Sequence, residues 1–429
     1  MLALYTALTK RAAPWLERLL DKRLARGKEH PERINERKGI ASKPRPDAPL
    51  IWLHAASVGE SQSALILINR LIETNPKLHI LITTGTQTSS QYLETRLPKR
   101  TIHQFIPLDH PDWVARFLDH WNPNAALWIE SELWPNMLSA IKERNIPAAL
   151  INARLSKKSF RLWTLSKRSA HTLLSTFALI LAQNKGAHDR LQKLGATHTV
   201  LSDNLKYSAH ALPHNNDNLK HLAARIGKHP IWLFASTHSG EEDMACRIHQ
   251  ILKNTYPDLL TILVPRHPER GNTIAQLCKL YDLNAINRAT NENTHTLPDE
   301  NTDIYIADTL GELGLFYRLT NIAIIGRSFS DDGGGGHNPI EAAQLNCAIL
   351  HGPNVQHQQE LYDDMQSEGA CIMTQDEDTL IKTLQNLLTN EPERRTLQKT
   401  AYNFAKQKNT VIETVMDHID PFIKKATET

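Results

Sequence analysis

Cysteine is scarce in this chain: Cys246, Cys278, Cys347 and Cys371 are the only four in 429 residues, far apart, with no CxxC pair and no metal-ligand spacing. That excludes a disulfide framework and a cysteine-built zinc site, and reads as reduced thiols in a cytosolic protein. Long apolar runs are lacking too. A spanning helix needs about 20 mostly apolar residues, and no such run exists. The short apolar start is cut off by Lys10 and Arg11 with no small-residue cleavage site after it, so no secretory signal is expected. The 21 histidines show no HExxH or comparable ligand spacing. No GxGxxG follows the first strand of either half, which disfavours a dinucleotide oxidoreductase. No DxD-type pair follows a strand, and Asp331-Asp332 is the only candidate. No metal is predicted.

What is present has the balance of a soluble globular protein, 41% hydrophobic and 22% charged, in a chain long enough for two domains. The net charge of +3 hides an asymmetry: residues 1–45 carry twelve Lys/Arg against five Asp/Glu, a net +7, which leaves the remainder at −4. Within that arm Leu4, Leu8, Trp15 and Leu19 fall on one helical face, with Met1, Tyr5, Ala12 and Leu16 beside them. Such a segment suits the headgroup layer of an anionic membrane, or else docks on its own domain with its charges solvated. It lacks the interleaved aromatics of a nucleic-acid arm, so no nucleic-acid partner is predicted.

From residue 50 onward, short apolar runs alternate with polar turns and helical stretches. Strand candidates are 50–56, 79–83, 102–105, 125–129, 148–152, 179–182 and 199–201, then 231–235, 260–264, 284–286, 304–307, 321–325 and 348–350. Helical periodicity between them, as at 62–73 and 134–144, predicts βαβ units and parallel sheets. The expected fold is therefore α/β, with two facing doubly wound Rossmann-like domains and ligands in a cleft at the strands' carboxyl ends. The expected divisions are an arm over 1–45, a first domain over 46–206, a polar linker over 207–228, a second domain over 229–405, and a helix over 406–429 that would cross back to the first domain.

The chemistry is expected where strands end. Glu60 in SVGE follows the first strand, with Gly59 expected to let the backbone turn sharply. It reads as a base taking the proton of an attacking hydroxyl, or as a helix N-terminal carboxylate complementing the dipole. In IESELWPN, Glu130 and Glu132 alternate, so only one is expected to point inward, and Glu130 is favoured because it directly ends the strand. Lys206 reads as a reach toward an anionic substrate or as a surface lysine. Thr84-Gly85-Thr86 is a hydroxyl-rich turn or a plain one.

In the second half, Ser236-Thr237-His238 resembles a phosphate turn, and Arg266 offers a planar fork of donors to a phosphate. The 308–312 turn, with Glu312 in it, is placed to meet a base or ribose. Residues 333–341, GGGGHNPIE, are the most informative stretch. Asn338 is expected to cap a helix with Pro339 first in it, and the glycines to present bare N–H groups to an anion. Glu341 would take ribose hydroxyls. A flexible glycine-rich surface loop is the alternative. With a single phosphate to neutralise, Arg266 and this helix end would suffice without a metal or cofactor.

The segments HAASVGE (54–60), ESELWPN (130–136), INARLS (151–156), DNLKY (203–207), STHSGEE (236–242), VPRHPER (264–270), DTLGELGLFY (308–317) and GGHNPIEAA (335–343) occur in this order across almost the whole chain. Together they resemble the 3-deoxy-D-manno-octulosonic acid (Kdo) transferases of lipopolysaccharide assembly. The resemblance implies a GT-B glycosyltransferase moving Kdo from CMP-Kdo to the 6′-hydroxyl of a tetra-acylated lipid A precursor, lipid IVA, by inversion. It makes Glu60 the general base and gives Glu130 and Lys206 roles in stabilising the transition state. It places CMP contacts on Pro265, Arg266, Leu310, Gly311, Glu312, Asn338, Pro339, Ile340 and Glu341. It implies that 46–206 binds the acceptor, that 229–405 binds CMP-Kdo, and that the protein works at the cytoplasmic face of the bacterial inner membrane, peripherally or shallowly anchored. The basic stretch Lys157, Lys158, Arg161, Lys167 and Arg168 around Phe160, Leu162 and Trp163 suits a phosphorylated lipid, or is an exposed helix. The rivals are another GT-B enzyme, a UDP-sugar transferase or sugar-nucleotide epimerase, and a non-catalytic peripheral membrane-binding protein.

Overall fold

Runs such as LIWLHA and AALWI are apolar on both faces, and a strand of that kind is stable only when helices cover both sides of its sheet. The computed structural model, which describes residues 1–208, 211–289, 295–330 and 333–428, shows two such sheets. Asp331-Asp332 lie outside the described residues. The chain forms two compact units, residues 1–209 with 409–429, and residues 210–408.

Unit 1 holds β1 (Leu50–Ala55), β2 (His79–Thr84), β3 (Thr101–Phe105), β4 (Ala125–Ile129), β5 (Ala148–Ala153), β6 (Phe177–Ala182) and β7 (Thr199–Leu201). The order is β3-β2-β1-β4-β5-β6-β7, every pairing parallel. Trp52, Phe117 and Trp128 pack on one face of the sheet and Ile51, Leu53 and Ile129 on the other. The second face is completed by the last helix, Val411–Thr427, through Val415, Met416, Ile419 and Ile423.

Unit 2 holds β8 (Ile231–Thr237), β9 (Leu260–Pro265), β10 (Ala285–Asn287), β11 (Ile304–Ile306), β12 (Ile322–Ile325), β13 (Ala348–His351) and β14 (Ile372–Met373). Its order, β10-β11-β9-β8-β12-β13-β14, repeats the plan of unit 1. In each sheet the winding reverses once, between β1 and β4 and between β8 and β12. Loops leaving those strands diverge at their carboxyl ends, and that divergence opens the ligand crevice of a doubly wound sheet.

The structure departs from the sequence expectations in four places. The arm breaks into two helices, Leu2–Arg11 and Ala13–Ala25, because Pro14 starts a new helix; no continuous apolar face runs from Leu4 to Leu19. Beyond it, the 3-10 helix Pro31–Lys38 is bolted to the sheet. Buried Arg37 pairs with Glu29 and donates to the carbonyls of Ile106 and Gly85, and Glu36 accepts the N–H of Phe105. The stretch read as a linker contains the helix Asn216–Ile226, which buries Leu222 and Ile226 in unit 2. Finally, β14 is a two-residue edge strand, too short to show a period in sequence.

Candidate active site

The turn after β1 is made by a cap rather than by glycine. The Ser57 side chain accepts the N–H of Glu60 at 3.3 Å and so starts the helix Val58–Thr74, in which Gly59 is an ordinary first-turn residue. The Glu60 carboxylate folds back over the strand end, taking the Ala56 N–H at 2.7 Å and the Ser57 hydroxyl at 3.2 Å. Burial pushes its carboxyl above the usual range. The Ala56 N–H pulls it down, Glu130 and Glu132 push it up again, and His54 opposes them. Glu60 thus lies in the first turn of its helix, as the dipole reading expected.

At the end of β4, Glu130 has φ +66°, a left-handed backbone that costs a side-chain-bearing residue roughly 1 kcal/mol or more. It is pinned on both sides: its N–H reaches the Ile151 carbonyl and its own carbonyl accepts from Arg154. Glu130 is buried, 7% exposed, and its carboxylate meets Lys206 Nζ at 2.8 Å. Lys206 is placed by Asn152, whose Oδ1 accepts the N–H of Leu205 at 3.0 Å. Glu132, expected to point away, also turns inward and reaches His54 Nε2 at 3.4 Å. Strand alternation stops at Glu130 because its left-handed torsion takes the chain out of extended geometry. His54 is fully buried, with Nδ1 at 3.0 Å from the Thr83 hydroxyl. It escaped sequence reasoning; the one signal was a titratable residue inside the apolar run LIWLHA. Beside this cluster Thr86 caps the helix Gln87–Glu94 and Thr84 bonds His103.

In unit 2 the turns around the β8–β12 reversal are knitted by buried carboxylates. Glu241 accepts the N–H groups of His238, Arg327, Ser328 and Phe329 at 2.8–3.1 Å. Glu242 accepts from the Thr237 hydroxyl and from Arg270. Pro265 ends β9. Next to it the Arg266 backbone is tied to Thr237, while its exposed guanidinium makes no hydrogen bond or ion pair among the described residues. Leu310 stands 82% exposed before Gly311. The Glu312 carboxylate is held by Arg288 through two bonds of 2.6 and 2.7 Å and by the Thr309 hydroxyl. What this turn leaves open is therefore the Leu310–Gly311 segment rather than the Glu312 side chain.

The glycine loop corrects an expectation. The N–H groups of Gly335, Gly336 and His337 point into the protein, to the carbonyls of Asn354, Arg327 and Gly326. Gly335 at φ +121° and Gly336 at φ +66° are needed for that path, and a Cβ on Gly335 would strike the His357 ring. The helix that follows, Ile340–Gln344, is five residues long, with Pro339 at its cap instead of its first turn. Asn338 stands before that cap instead of forming it, accepting from the Ile340 N–H at 3.1 Å, and its amide donates to Glu341 at 3.4 Å. Burial raises the Glu341 carboxyl, and Asn338 and the Arg266 charge lower it. His337 stacks on His238, Nε2 to Nε2 at 3.0 Å. Among the described residues no group of three or more His, Cys, Asp or Glu is placed to hold a metal ion.

Comparisons with known proteins agree with this layout. The family model described as 3-Deoxy-D-manno-octulosonic-acid transferase (kdotransferase) matches residues 32–209. The chain is similar to the 3-deoxy-D-manno-octulosonic acid transferase of Rickettsia bellii (strain RML369-C), at 34% identity over 93% of this chain and 94% of that protein. It is also similar to a probable mitochondrial 3-deoxy-D-manno-octulosonic acid transferase of Arabidopsis thaliana, at 37% identity over 91% of this chain and 88% of that one. Among solved structures, a glycosyltransferase from Rickettsia africae ESF-5 shares the fold, with TM-score 0.59 and 11% identity over 88% of this chain and 99% of that chain. The fold is the expected GT-B class, and with relatives this similar over this much of its length the chain belongs to the 3-deoxy-D-manno-octulosonic acid transferase family.

Proposed function

We propose that this chain transfers Kdo from CMP-Kdo to the 6′-hydroxyl of a tetra-acylated lipid A precursor, lipid IVA, by one inverting displacement. The observation that carries the reading is the cluster of Glu60, Glu130 and Lys206 at the β1–β4 reversal, in a chain of this family. Glu60 has the raised proton affinity a base needs, and takes the hydroxyl proton as the acceptor oxygen bonds to the anomeric carbon. The bond from that carbon to the CMP phosphate breaks, and the electron pair leaves with the phosphate. Glu130 stabilises the positive charge developing on the sugar. Lys206 serves the Kdo carboxylate or the leaving charge. Unit 2 supplies the donor contacts: Arg266 for the phosphate, with Pro265, the Leu310–Glu312 turn, and Asn338, Pro339, Ile340 and Glu341 around the nucleotide. No metal or cofactor enters this reading, since one phosphate is within the reach of Arg266.

The acceptor is a lipid, and unit 1 has a surface suited to one. Leu162 and Leu165 are 61% and 83% exposed, among Lys157, Lys158, Arg161, Lys167 and Arg168. Met1 touches Ser166 at 3.0 Å, which brings exposed Leu4 and Leu8 of the first helix into the same region. Apolar side chains ringed by cations fit the interface of an anionic bilayer. No described helix is long and apolar enough to cross one. The proposed site of action is accordingly peripheral, on the cytoplasmic face of the bacterial inner membrane. Replacing Leu162 and Leu165 by Asp is expected to abolish cosedimentation with phosphatidylglycerol vesicles; unchanged cosedimentation would remove this surface from the reading.

The deciding experiment is transfer from CMP-Kdo to lipid IVA, resolved by mass spectrometry. Products heavier by one or more Kdo units support the proposal and count the transfers. No product, with CMP bound and acceptor dispersed in detergent, would sink the acceptor assignment. Protection by UDP in place of CMP would point to a different sugar nucleotide.

A further inference from the structure

His54 is an imidazole inside the apolar strand LIWLHA, fully buried, and the transfer chemistry proposed above leaves it without a task. Burying an imidazole costs free energy unless its nitrogens find partners. Here both do. Nδ1 lies 3.0 Å from the Thr83 hydroxyl, which also accepts the Trp52 indole N–H at 2.9 Å. Nε2 faces Glu132 Oε2 at 3.4 Å. An ionised carboxylate only accepts, so the proton of that contact sits on Nε2. The Thr83 hydroxyl, one lone pair taken by Trp52, has its own proton to give to Nδ1. The result is a chain directed from the core to the site, from Trp52 through Thr83 and His54 to Glu132.

The same ring braces the loop that carries Glu132. Trp128 and Trp134, which bracket Glu130 and Glu132, pack on it with ring centroids at 4.7 and 5.7 Å. The Glu132 side chain is 33% exposed, and His54 is its one partner among the described residues. Glu60 is tied to the same strand end two residues further on, through the Ala56 N–H. Two residues of strand span about 6.6 Å, so the anchors of the two carboxylates lie within one Debye length of physiological salt. The charged groups around Glu60 are Glu130 and Glu132 from the loop after β4, His54 from β1, and Lys206, whose Nζ lies beside Gly59. Lys206 is spent on Glu130, which leaves Glu132 as the carboxylate without a lysine or arginine.

We propose that the charge of Glu132 makes Glu60 a stronger base, and that His54 is the positioning residue that holds Glu132 in place. The inference rests on Glu60 acting as the base in the function proposed above. A nearby negative charge makes the ionised base costlier and the proton it takes more tightly held. Neutralising Glu132 therefore weakens the base yet keeps it ionised to lower pH. In Glu132→Gln the plateau of kcat/KM is expected to fall while its acidic limb moves to lower pH. On that limb the rate relative to each enzyme's own plateau should be about threefold higher than in the wild type, as for one charge about 7 Å away in water. His54→Leu, which releases Glu132, should move the limb the same way, and the double variant no further. His54→Gln, whose amide can donate from the place of Nε2, should keep the wild-type limb. The same order is read without turnover from the carboxyl 13C resonance of Glu60 in the full chain, assigned by its loss in Glu60→Gln. Its midpoint should lie lower in Glu132→Gln and in His54→Leu than in the wild type. An unmoved midpoint in Glu132→Gln, or a rate lowered equally at every pH, overturns the role of Glu132. A midpoint moved by Glu132→Gln but not by His54→Leu overturns that of His54. If His54→Leu does not fold, a His54 Nε2–H resonance left unmoved by Glu132→Gln overturns it instead. Should no transfer be detected, the function above falls while the carbon titration still decides the charge coupling.

Discussion

Glu60 is a carboxylate kept half at odds with its surroundings. It is buried against two other carboxylates, and its negative charge rests on the Ala56 N–H and the Ser57 hydroxyl. A folded pKa above the unfolded value stabilises the protein below the unfolded pKa, and that contribution is lost as pH rises through the folded pKa. At neutral pH ionised Glu60 therefore weakens the fold that it serves. Glu60→Gln is expected to lower kcat by about 100-fold or more. The same change should leave Tm equal or higher at pH 8, with the difference vanishing near pH 4; a lower Tm at pH 8 would contradict the burial argument. The wild-type rate should fall on acidification at a pH above the ordinary glutamate value of about 4.3. Lys206 carries a different prediction. Removing it leaves Glu130 buried without its cation, so Lys206→Ala should cost about 1–3 kcal/mol in urea unfolding. Adding Glu130→Gln should recover much of that stability but none of the activity, which separates pairing from catalysis.

Among the elements, the candidate site residues gather at the ends of strands, and the starts of helices hold those ends in place. Three residues without glycine's freedom, Glu130, Asn152 and Ser236, sit at strand ends in the left-handed region, each fixed by neighbouring bonds. Ser57 starts its helix by accepting one N–H, that of Glu60, whereas Glu241, also at a helix start, gathers the N–H groups of His238 and of the neighbouring 327–329 turn. Glu241→Gln exchanges a charged four-fold acceptor for an amide. It is expected to destabilise the protein by about 2–3 kcal/mol and to weaken CMP binding severalfold, since His238 and the 327–329 turn lose their tether. Thermal unfolding with a parallel CMP titration checks both. Loss of stability with CMP affinity unchanged would make Glu241 structural only.

At the scale of the whole molecule, unit 1 is assembled from both ends of the chain and unit 2 from one continuous segment. Residues 210–408 carry their own sheet and core, and are expected to fold when expressed alone. Deleting 409–429 strips Val415, Met416, Ile419 and Ile423 from the core of unit 1. At about 1.5–3 kcal/mol for each buried side chain, that loss is comparable with the whole stability of a domain. The truncated chain should therefore show two unfolding transitions in urea, with unit 1 lost first. A single transition at the full-length midpoint would show that the last helix is dispensable.

The sequence by itself determined the parallel strands, the doubly wound class and the family. These rest on local information: apolar runs report burial on both faces, and the motif order across the chain reports kinship. It also brought Glu60 to a strand end at the start of a helix, because such starts are written within a few residues. Tertiary structure alone decided the partners. Lys206 meets Glu130 across 76 residues, and Glu132 meets His54 across 78. It also turned the N–H groups of Gly335 and Gly336 inward and gave Glu312 to Arg288. Periodicity tells which side of an element is covered, whereas the identity of the covering group follows from sheet order and from single backbone torsions such as that of Glu130. Neither repeats along the chain, so neither can be read as a pattern.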